Sequence, residues 1–174
     1  MKNIVLIGFM GTGKTAVGRR LAGRLGREFV DTDAEIERVT GKSIPQIFAR
    51  DGEKRFRSEE RLVIQKFSRR EGLVISTGGG AVLDPENVAD LKRNGVLICL
   101  KADPEVIYQR VKRKKHRPLL LKKGNLKDQI LKLLDERKLS YCVADYTVDT
   151  SQRTPDRVVD EIIAYLEKIA EEDK

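Results

Sequence analysis

Short apolar runs recur along the chain, each closed by a turn signal and followed by a polar stretch of helical period. Five of them, at 3–8, 28–32, 73–77, 96–101 and 146–150, have the length and composition of buried strands. After the first, Val17, Leu21 and Leu25 recur at four-residue spacing, the stripe of an amphipathic helix. Asp84-Pro85, Asp103-Pro104 and Thr154-Pro155 each place a capping side chain before a proline at the first helical position. Ser43 and Gln46 have capping-box spacing, and Gly26, Gly41, Gly52 and Gly95 fall where helices should stop. Strands alternating with helices predict an α/β fold: a five-stranded parallel sheet in a three-layer arrangement, with helices on both faces. Ligands belong at the C-terminal strand ends of such a sheet. Two stretches fit the layers poorly. Residues 36–70 are helical, charged and longer than one crossover needs, and 112–124 are basic without a clear period. The expectation is one domain over 1–174, with a substrate-binding region at 33–61 and a lid at 112–124, both able to close over ligands.

A chain of 174 residues suits one core. Lys and Arg number 35 against 27 Asp and Glu, a net charge of +8. That sign raises nucleic-acid binding, but with five Phe, four Tyr and no Trp there is no interleaved stacking motif. A basic cleft for anionic small molecules explains the charge equally well, and no nucleic-acid partner is expected. Cys99 and Cys142 form no C-x-x-C pair, and Cys99, inside an apolar run, reads as a reduced core residue. No apolar run approaches membrane-spanning length, so no membrane partner is expected, and Met1-Lys2 leads straight into the first strand without room for a signal peptide. A cytoplasmic monomer is the expectation.

The chemistry is densest at Gly8-Phe9-Met10-Gly11-Thr12-Gly13-Lys14-Thr15, a complete P-loop of the form G-x-x-x-x-G-K-[ST] between a strand and a helix. Glycines let successive N–H groups turn inward, and the helix N-terminus adds positive potential where phosphate would sit. Lys14 can then reach the β- and γ-phosphates, and the Thr15 hydroxyl can ligate Mg²⁺. The loop predicts a nucleoside triphosphate without naming its use.

Other groups leave alternatives open. Asp31-Thr32-Asp33 ends the second strand; on an extended segment its two carboxylates point the same way, one toward a metal-bound water and one toward an attacking hydroxyl, or Asp33 merely caps a helix starting at Ala34. Arg57 and Glu60 lie on a charged helix that would ordinarily be a solvated face. Gly78-Gly79-Gly80 at the end of the third strand suggests close approach of a ligand to backbone N–H groups, or a loose turn. Arg137 reads as a surface charge and Tyr141 as a packing residue on a helix. Arg117 sits in the basic stretch, where arginine near a transferring phosphate would stabilise developing charge.

Taken in order, Gly8 to Thr15, Asp31-Thr32-Asp33, Phe56-Arg57 with Glu60, Gly78-Gly79-Gly80, Arg117-Pro118-Leu119-Leu120, and Glu136-Arg137 through Tyr141 to Asp145 resemble the shikimate kinase family over nearly the whole chain. The P-loop and D-x-D occur in other small kinases; Arg57, the triple glycine and Arg137 together are the more specific combination. The resemblance implies a P-loop kinase fold and transfer of the γ-phosphoryl of ATP to the 3-hydroxyl of shikimate, with Mg²⁺. It implies that Arg57 and Arg137 grip the shikimate carboxylate, whose two oxygens match arginine's planar fork. Asp33 would bind ring hydroxyls and orient or deprotonate the 3-hydroxyl, and Gly78, Gly79 and Gly80 would offer backbone donors. Gly11, Thr12, Gly13, Lys14, Thr15 and Ala16 would hold the phosphates, with Thr15 and Asp31 at the metal. Arg117 would swing in with the lid, and Arg110, Arg153 and Pro155 would flank the adenine. Ser76-Thr77 ends the third strand in place of the carboxylate common in P-loop proteins, which leaves Thr15, phosphates and water as the main Mg²⁺ ligands.

A gluconate-type kinase would share loop and fold but has no need of two arginines spaced for a ring carboxylate. A regulatory GTPase needs N-K-x-D, and Asn125-Leu126-Lys127-Asp128 has a similar composition in the wrong order.

Overall fold

In a computed structural model that describes residues 1–113 and 124–172, the five apolar runs become five strands: β1 (Asn3–Ile7), β2 (Phe29–Asp31), β3 (Val74–Ser76), β4 (Gly95–Lys101) and β5 (Tyr146–Asp149). They form one sheet in the order β2-β3-β1-β4-β5, with every pairing parallel. Parallel strands need a crossover between each pair, and the helices that supply it cover both faces. The strands alternate as a doubly covered sheet requires. Val5, Ile7, Leu97 and Cys99 point into one core, while Ile4, Leu6, Ile98 and Leu100 point into the other.

The second of these cores is roofed by α1 (Lys14–Leu25) and α8 (Pro155–Glu172). The first is covered by α2 (Thr32–Thr40), α3 (Ile44–Arg50), α4 (Gly52–Ser68) and α5 (Pro85–Arg93). A third, smaller cluster joins Phe9 and Met10 of the P-loop to Ile107 and Val111 of α6 (Pro104–Val111) and Ile130 of α7 (Leu126–Arg137). Because α1 leaves on one face and α5 on the other, the segments after β1 and β3 part at the C-terminal edge and leave a crevice.

The long charged stretch resolves into three helices. Gly41 caps α2 with φ 66°, and Ser43 and Gln46 form the expected reciprocal box at the start of α3. Gly26 likewise closes α1 with φ 62°. Two other glycine stops differ from expectation: Gly52 opens α4 after Asp51 has closed α3, and Gly95 opens β4 after Asn94 has closed α5. Gly95 is instead needed for space, since a Cβ there would lie 2.4 Å from the Leu91 carbonyl oxygen. Asp84 caps α5 through the Glu86 N–H, whereas Asp103 stands at the N-cap of α6 with no capping bond from its side chain. Among the described residues no helix is long and apolar enough to cross a membrane.

Candidate active site

The P-loop wraps the N-terminus of α1, and its glycines are there for backbone reasons. Gly8, Gly11 and Gly13 all have positive φ, and a Cβ on Gly8 would lie 2.2 Å from the Leu100 carbonyl oxygen of β4. Gly13 is the N-cap and supplies no side chain, so no side-chain cap competes for the first N–H groups of α1. Lys14 is buried, and its ammonium spans the loop, donating to the Gly8 carbonyl at 2.7 Å and the Phe9 carbonyl at 2.9 Å. A cavity of about 340 Å³ opens over the loop, lined by Met10, Gly11, Gly13, Lys14, Thr15, Ala16, Asp31, Asp33, Ser76, Thr77, Gly79, Arg110, Val111 and Arg113.

At the end of β2 the structure separates two roles that an extended strand would have given together. The strand stops at Asp31 and α2 begins at Thr32. Asp31, not Asp33, caps that helix: its Oδ1 accepts from the N–H groups of Asp33 at 3.0 Å and Ala34 at 3.3 Å. Its Oδ2 accepts from the Thr15 hydroxyl at 2.9 Å. Asp33, relieved of capping, stands in the first turn of α2. The intervening Thr32 is fully buried and accepts from the Gly78 N–H at 3.1 Å, which fixes Asp33 beside the glycine turn.

The three glycines each face a different neighbour, and none has positive φ, so space rather than backbone angle requires them. A Cβ on Gly78 would lie 2.8 Å from Asp33 Oδ1 and 2.9 Å from Glu60 Oε2. One on Gly79 would lie 3.3 Å from the Met10 nitrogen, and one on Gly80 2.5 Å from Arg57 Nη2. The turn is thus the floor of a second cavity, about 150 Å³, lined by Met10, Asp33, Glu37, Ile44, Pro45, Phe48, Phe56, Arg57, Glu60, Gly78, Gly79, Gly80 and Arg137. It adjoins the first, and Met10, Asp33 and Gly79 line both.

The charges of this second cavity come from a buried constellation. Glu60 is 1% exposed and Arg137 5% exposed, so neither belongs to a solvated surface as their helices suggested. Arg57 Nη1 donates to Glu60 Oε1 at 2.8 Å, and its Nη2 reaches Glu53 at 3.3 Å. Burial raises the Glu60 carboxyl above the ordinary carboxylate range, with Arg57 and then Arg137 opposing it. Burial disfavours the Arg57 charge, but Glu60 and then Glu53 outweigh it and hold its pKa up. Arg137 lies over the Phe9 ring, 6.0 Å from its centre. Glu60 Oε2 and Arg137 Nη1 are buried with no hydrogen-bond partner among the described residues. A buried acceptor and a buried cationic donor facing one cavity suit a ligand that carries both hydroxyl and carboxylate groups. Tyr141, in a 3₁₀ turn after α7 (Ser140–Val143), donates from its hydroxyl to the Gly79 carbonyl at 2.7 Å. Its pKa is pushed up to about 12, chiefly by burial, so it stays a donor.

The structure brings together Gly11, Gly13, Lys14, Thr15, Ala16, Asp31, Asp33, Gly79 and Arg110 around the first cavity, and Asp33, Arg57, Gly78, Gly79, Gly80 and Arg137 around the second. Thr12 is buried with its hydroxyl turned to the Phe9 carbonyl, and Arg153 is paired with Glu161; neither they nor Pro155 line the cavities. Arg117 lies outside the described residues, as does most of the expected lid. Glu60 carried no assigned role in the sequence, although its i,i+3 spacing from Arg57 was visible. Arg113, which also lines the first cavity, lay within the basic stretch already marked for its charge.

A family description, SKI or shikimate kinase, matches residues 10–167. The chain is 66% identical over 168 residues to a shikimate kinase of Pelotomaculum thermopropionicum, covering 97% of each chain. It is 57% identical to one from Desulforudis audaxviator, covering 97% of this chain and 88% of the relative. Among solved structures it resembles the shikimate kinase from Acinetobacter baumannii in complex with shikimate, with a TM-score of 0.93, 42% identity, and coverage of 97% of this chain and 94% of that one.

Proposed function

The chain belongs to the shikimate kinase family and phosphorylates shikimate with ATP as the donor, and we infer that its two adjoining cavities divide the two substrates between them. The reaction moves the γ-phosphoryl group to the 3-hydroxyl of shikimate, giving shikimate 3-phosphate and ADP. The observation that carries the assignment of the cavities is their junction: Met10, Asp33 and Gly79 line both. A hydroxyl and a terminal phosphate presented from the two sides would meet at these residues.

ATP belongs over the P-loop, where the N–H groups at the start of α1 and the Lys14 ammonium face its phosphates. Shikimate belongs over the glycine turn. Arg57 and Arg137 hold its carboxylate, and Asp33 accepts the hydrogen bond of the attacking hydroxyl and takes its proton as the new O–P bond forms. The transition state is anionic and loose, so Lys14 and the turn N–H groups act by placing positive charge where negative charge spreads. Thr15 and Asp31 offer a hydroxyl and a carboxylate, hard oxygens 2.9 Å apart that suit Mg²⁺. When bound there, Mg²⁺ would neutralise charge on the β- and γ-phosphates. A monomer is the proposed state and the cytoplasm the proposed location.

Coupled detection of ADP tests the assignment. Shikimate stimulates ATP turnover while gluconate and nucleoside monophosphates do not. Substituting Arg57 by Lys raises the shikimate KM far more than the ATP KM; equal effects on both would overturn the division of the cavities.

A further inference from the structure

We propose that Thr150 is a positioning residue for the phosphate cradle, holding the outer side of the P-loop so that its inner N–H groups face the nucleotide. Thr150 is 3% exposed, follows the end of β5, and lies 138 residues from its main partner. Its hydroxyl donates to the Thr12 carbonyl at 2.8 Å, with the Lys101 carbonyl at 3.2 Å as a second acceptor. The same oxygen accepts from Arg110 Nη1 at 3.1 Å, and Arg110 Nη2 donates to the Thr150 carbonyl at 2.8 Å. Arg110 Nη1 is also 3.2 Å from the Gly11 carbonyl. Backbone ties the node to the sheet, because the Thr150 N–H donates to the Lys101 carbonyl at 2.8 Å.

The consequence follows from peptide geometry. A trans peptide points its C=O and its N–H in opposite directions. Fastening the Thr12 carbonyl to Thr150 therefore fixes the direction of the Gly13 N–H, and fastening the Gly11 carbonyl to Arg110 fixes that of the Thr12 N–H. Gly11 and Gly13 both line the first cavity, and Gly13, with φ +99°, has its carbonyl held by the Val17 N–H at 2.9 Å but no side chain whose packing could set the direction of its own N–H. The hydroxyl supplies what packing does not. Arg110, whose guanidinium fork is committed to Thr150 and Gly11, is a strut of the cradle as well as part of its wall.

The proposal rests on the assignment of nucleotide to the first cavity, and its test separates the two. Thr150→Val keeps the shape of the side chain and removes only the hydroxyl; Thr150→Ser restores it. Calorimetric titration with Mg·ADP and, separately, with shikimate gives the readout. For Thr150→Val the ADP Kd rises about five- to twentyfold while the shikimate Kd stays within about twofold, and Thr150→Ser returns the ADP Kd to within about twofold of the parent. Unchanged shikimate binding shows that the valine variant is folded, so a melting-temperature loss alone cannot mimic the split. Parent-like ADP affinity in Thr150→Val, equal weakening of both ligands, or no recovery in Thr150→Ser would each overturn the role of the hydroxyl. Absence of ADP binding by the parent protein would instead overturn the cavity assignment, and the proposal with it.

Discussion

Arg57 donates through Nη1 to Glu60 at 2.8 Å, and the acid that receives this bond is 1% exposed while the arginine side chain remains a quarter exposed. The acid is the fixed member of the pair, one turn along α4, and it aims the guanidinium over Gly80. Two effects of Glu60 oppose each other. It orders Arg57, which favours binding of a carboxylate, and it neutralises Arg57, which does not. Ordering wins, because a tethered planar fork meets a carboxylate without losing side-chain entropy, and Arg137 still supplies an uncommitted donor.

Glu60→Ala should therefore raise the shikimate KM about tenfold or more, and Glu60→Gln, which keeps an acceptor, by less. The ATP KM should move little in either. The Glu60 carboxyl titrates above the ordinary carboxylate range because it is buried, so acidification through that elevated pKa should protonate it and raise the shikimate KM. The glutamine variant should lack this limb of the pH profile. A lower KM in Glu60→Gln would mean that neutralisation, not ordering, dominates.

Two glycines separate function from stability. In Gly80→Ala the new methyl would fall 2.5 Å from Arg57 Nη2 and 2.7 Å from Nη1, atoms at the end of a flexible side chain. The arginine can shift, so melting temperature should change little while the shikimate KM rises about tenfold. In Gly8→Ala the methyl would fall 2.2 Å from a backbone oxygen of β4 at φ +134°, and neither partner can move without disturbing the pairing of the interior strands β1 and β4. That variant should lose about 3 kcal/mol or more, measured by urea denaturation, whatever its activity.

The contrast marks how far residue order reveals this site. The layers of the fold were legible because strands and amphipathic helices write their periods directly: all five apolar runs became paired strands. The P-loop and glycine turn were legible because glycine at a strand end has few other uses. The burial of Glu60 and Arg137 was not, although the family resemblance already pointed to Arg137 as a carboxylate partner, because burial of a charge depends on which elements the fold stacks against it, and a charged helix looks the same whether its acid faces water or a cavity. The capping role passed from Asp33 to Asp31 for a similar reason: one residue's difference in where β2 stops exchanges their duties. Thr150 could not be read at all, since its partner lies at the other end of the chain.

Glu35 offers a test of the contact between α2 and α4 alone. It accepts from Arg38 of its own helix at 2.7 Å and joins α2 to α4 by accepting from Lys66 at 2.7 Å, and these bonds lower its pKa to about 2 from an ordinary 4.5. A carboxylate depressed in the folded state contributes stability above its unfolded pKa and loses it as pH falls through the folded one. Both partners are more than half exposed, so screening reduces the contribution to about 1 kcal/mol. Glu35→Gln should be less stable than the parent by about that amount at neutral pH. Urea melts should show the gap closing as pH falls from 4.5 toward 2. A gap independent of pH would assign the loss to packing instead.

Tyr141 should control the chemical step rather than either binding step. Its hydroxyl donates to the Gly79 carbonyl at 2.7 Å, and Gly79 is one of the three residues shared by the two cavities. With that carbonyl held outward by the phenol, the trans peptide turns the following Gly80 N–H the opposite way. Tyr141→Phe leaves the ring packed against Phe9's cluster and removes the hydroxyl, which donates to Gly79 and also interacts with the Arg137 guanidinium. The lost hydrogen bond is worth about 1 kcal/mol, and the turn it releases touches the place where hydroxyl and phosphate must align. The expected result is a kcat lower by about five- to tenfold, with each KM changed by less than about threefold and melting temperature nearly unchanged. Because the parent phenol, raised to about 12 by burial, stays protonated, the loss should be the same from pH 6.5 to about 9. A variant with normal kcat and weakened shikimate binding would place Tyr141 with Arg137 as part of the carboxylate grip instead of at the junction of the two substrates.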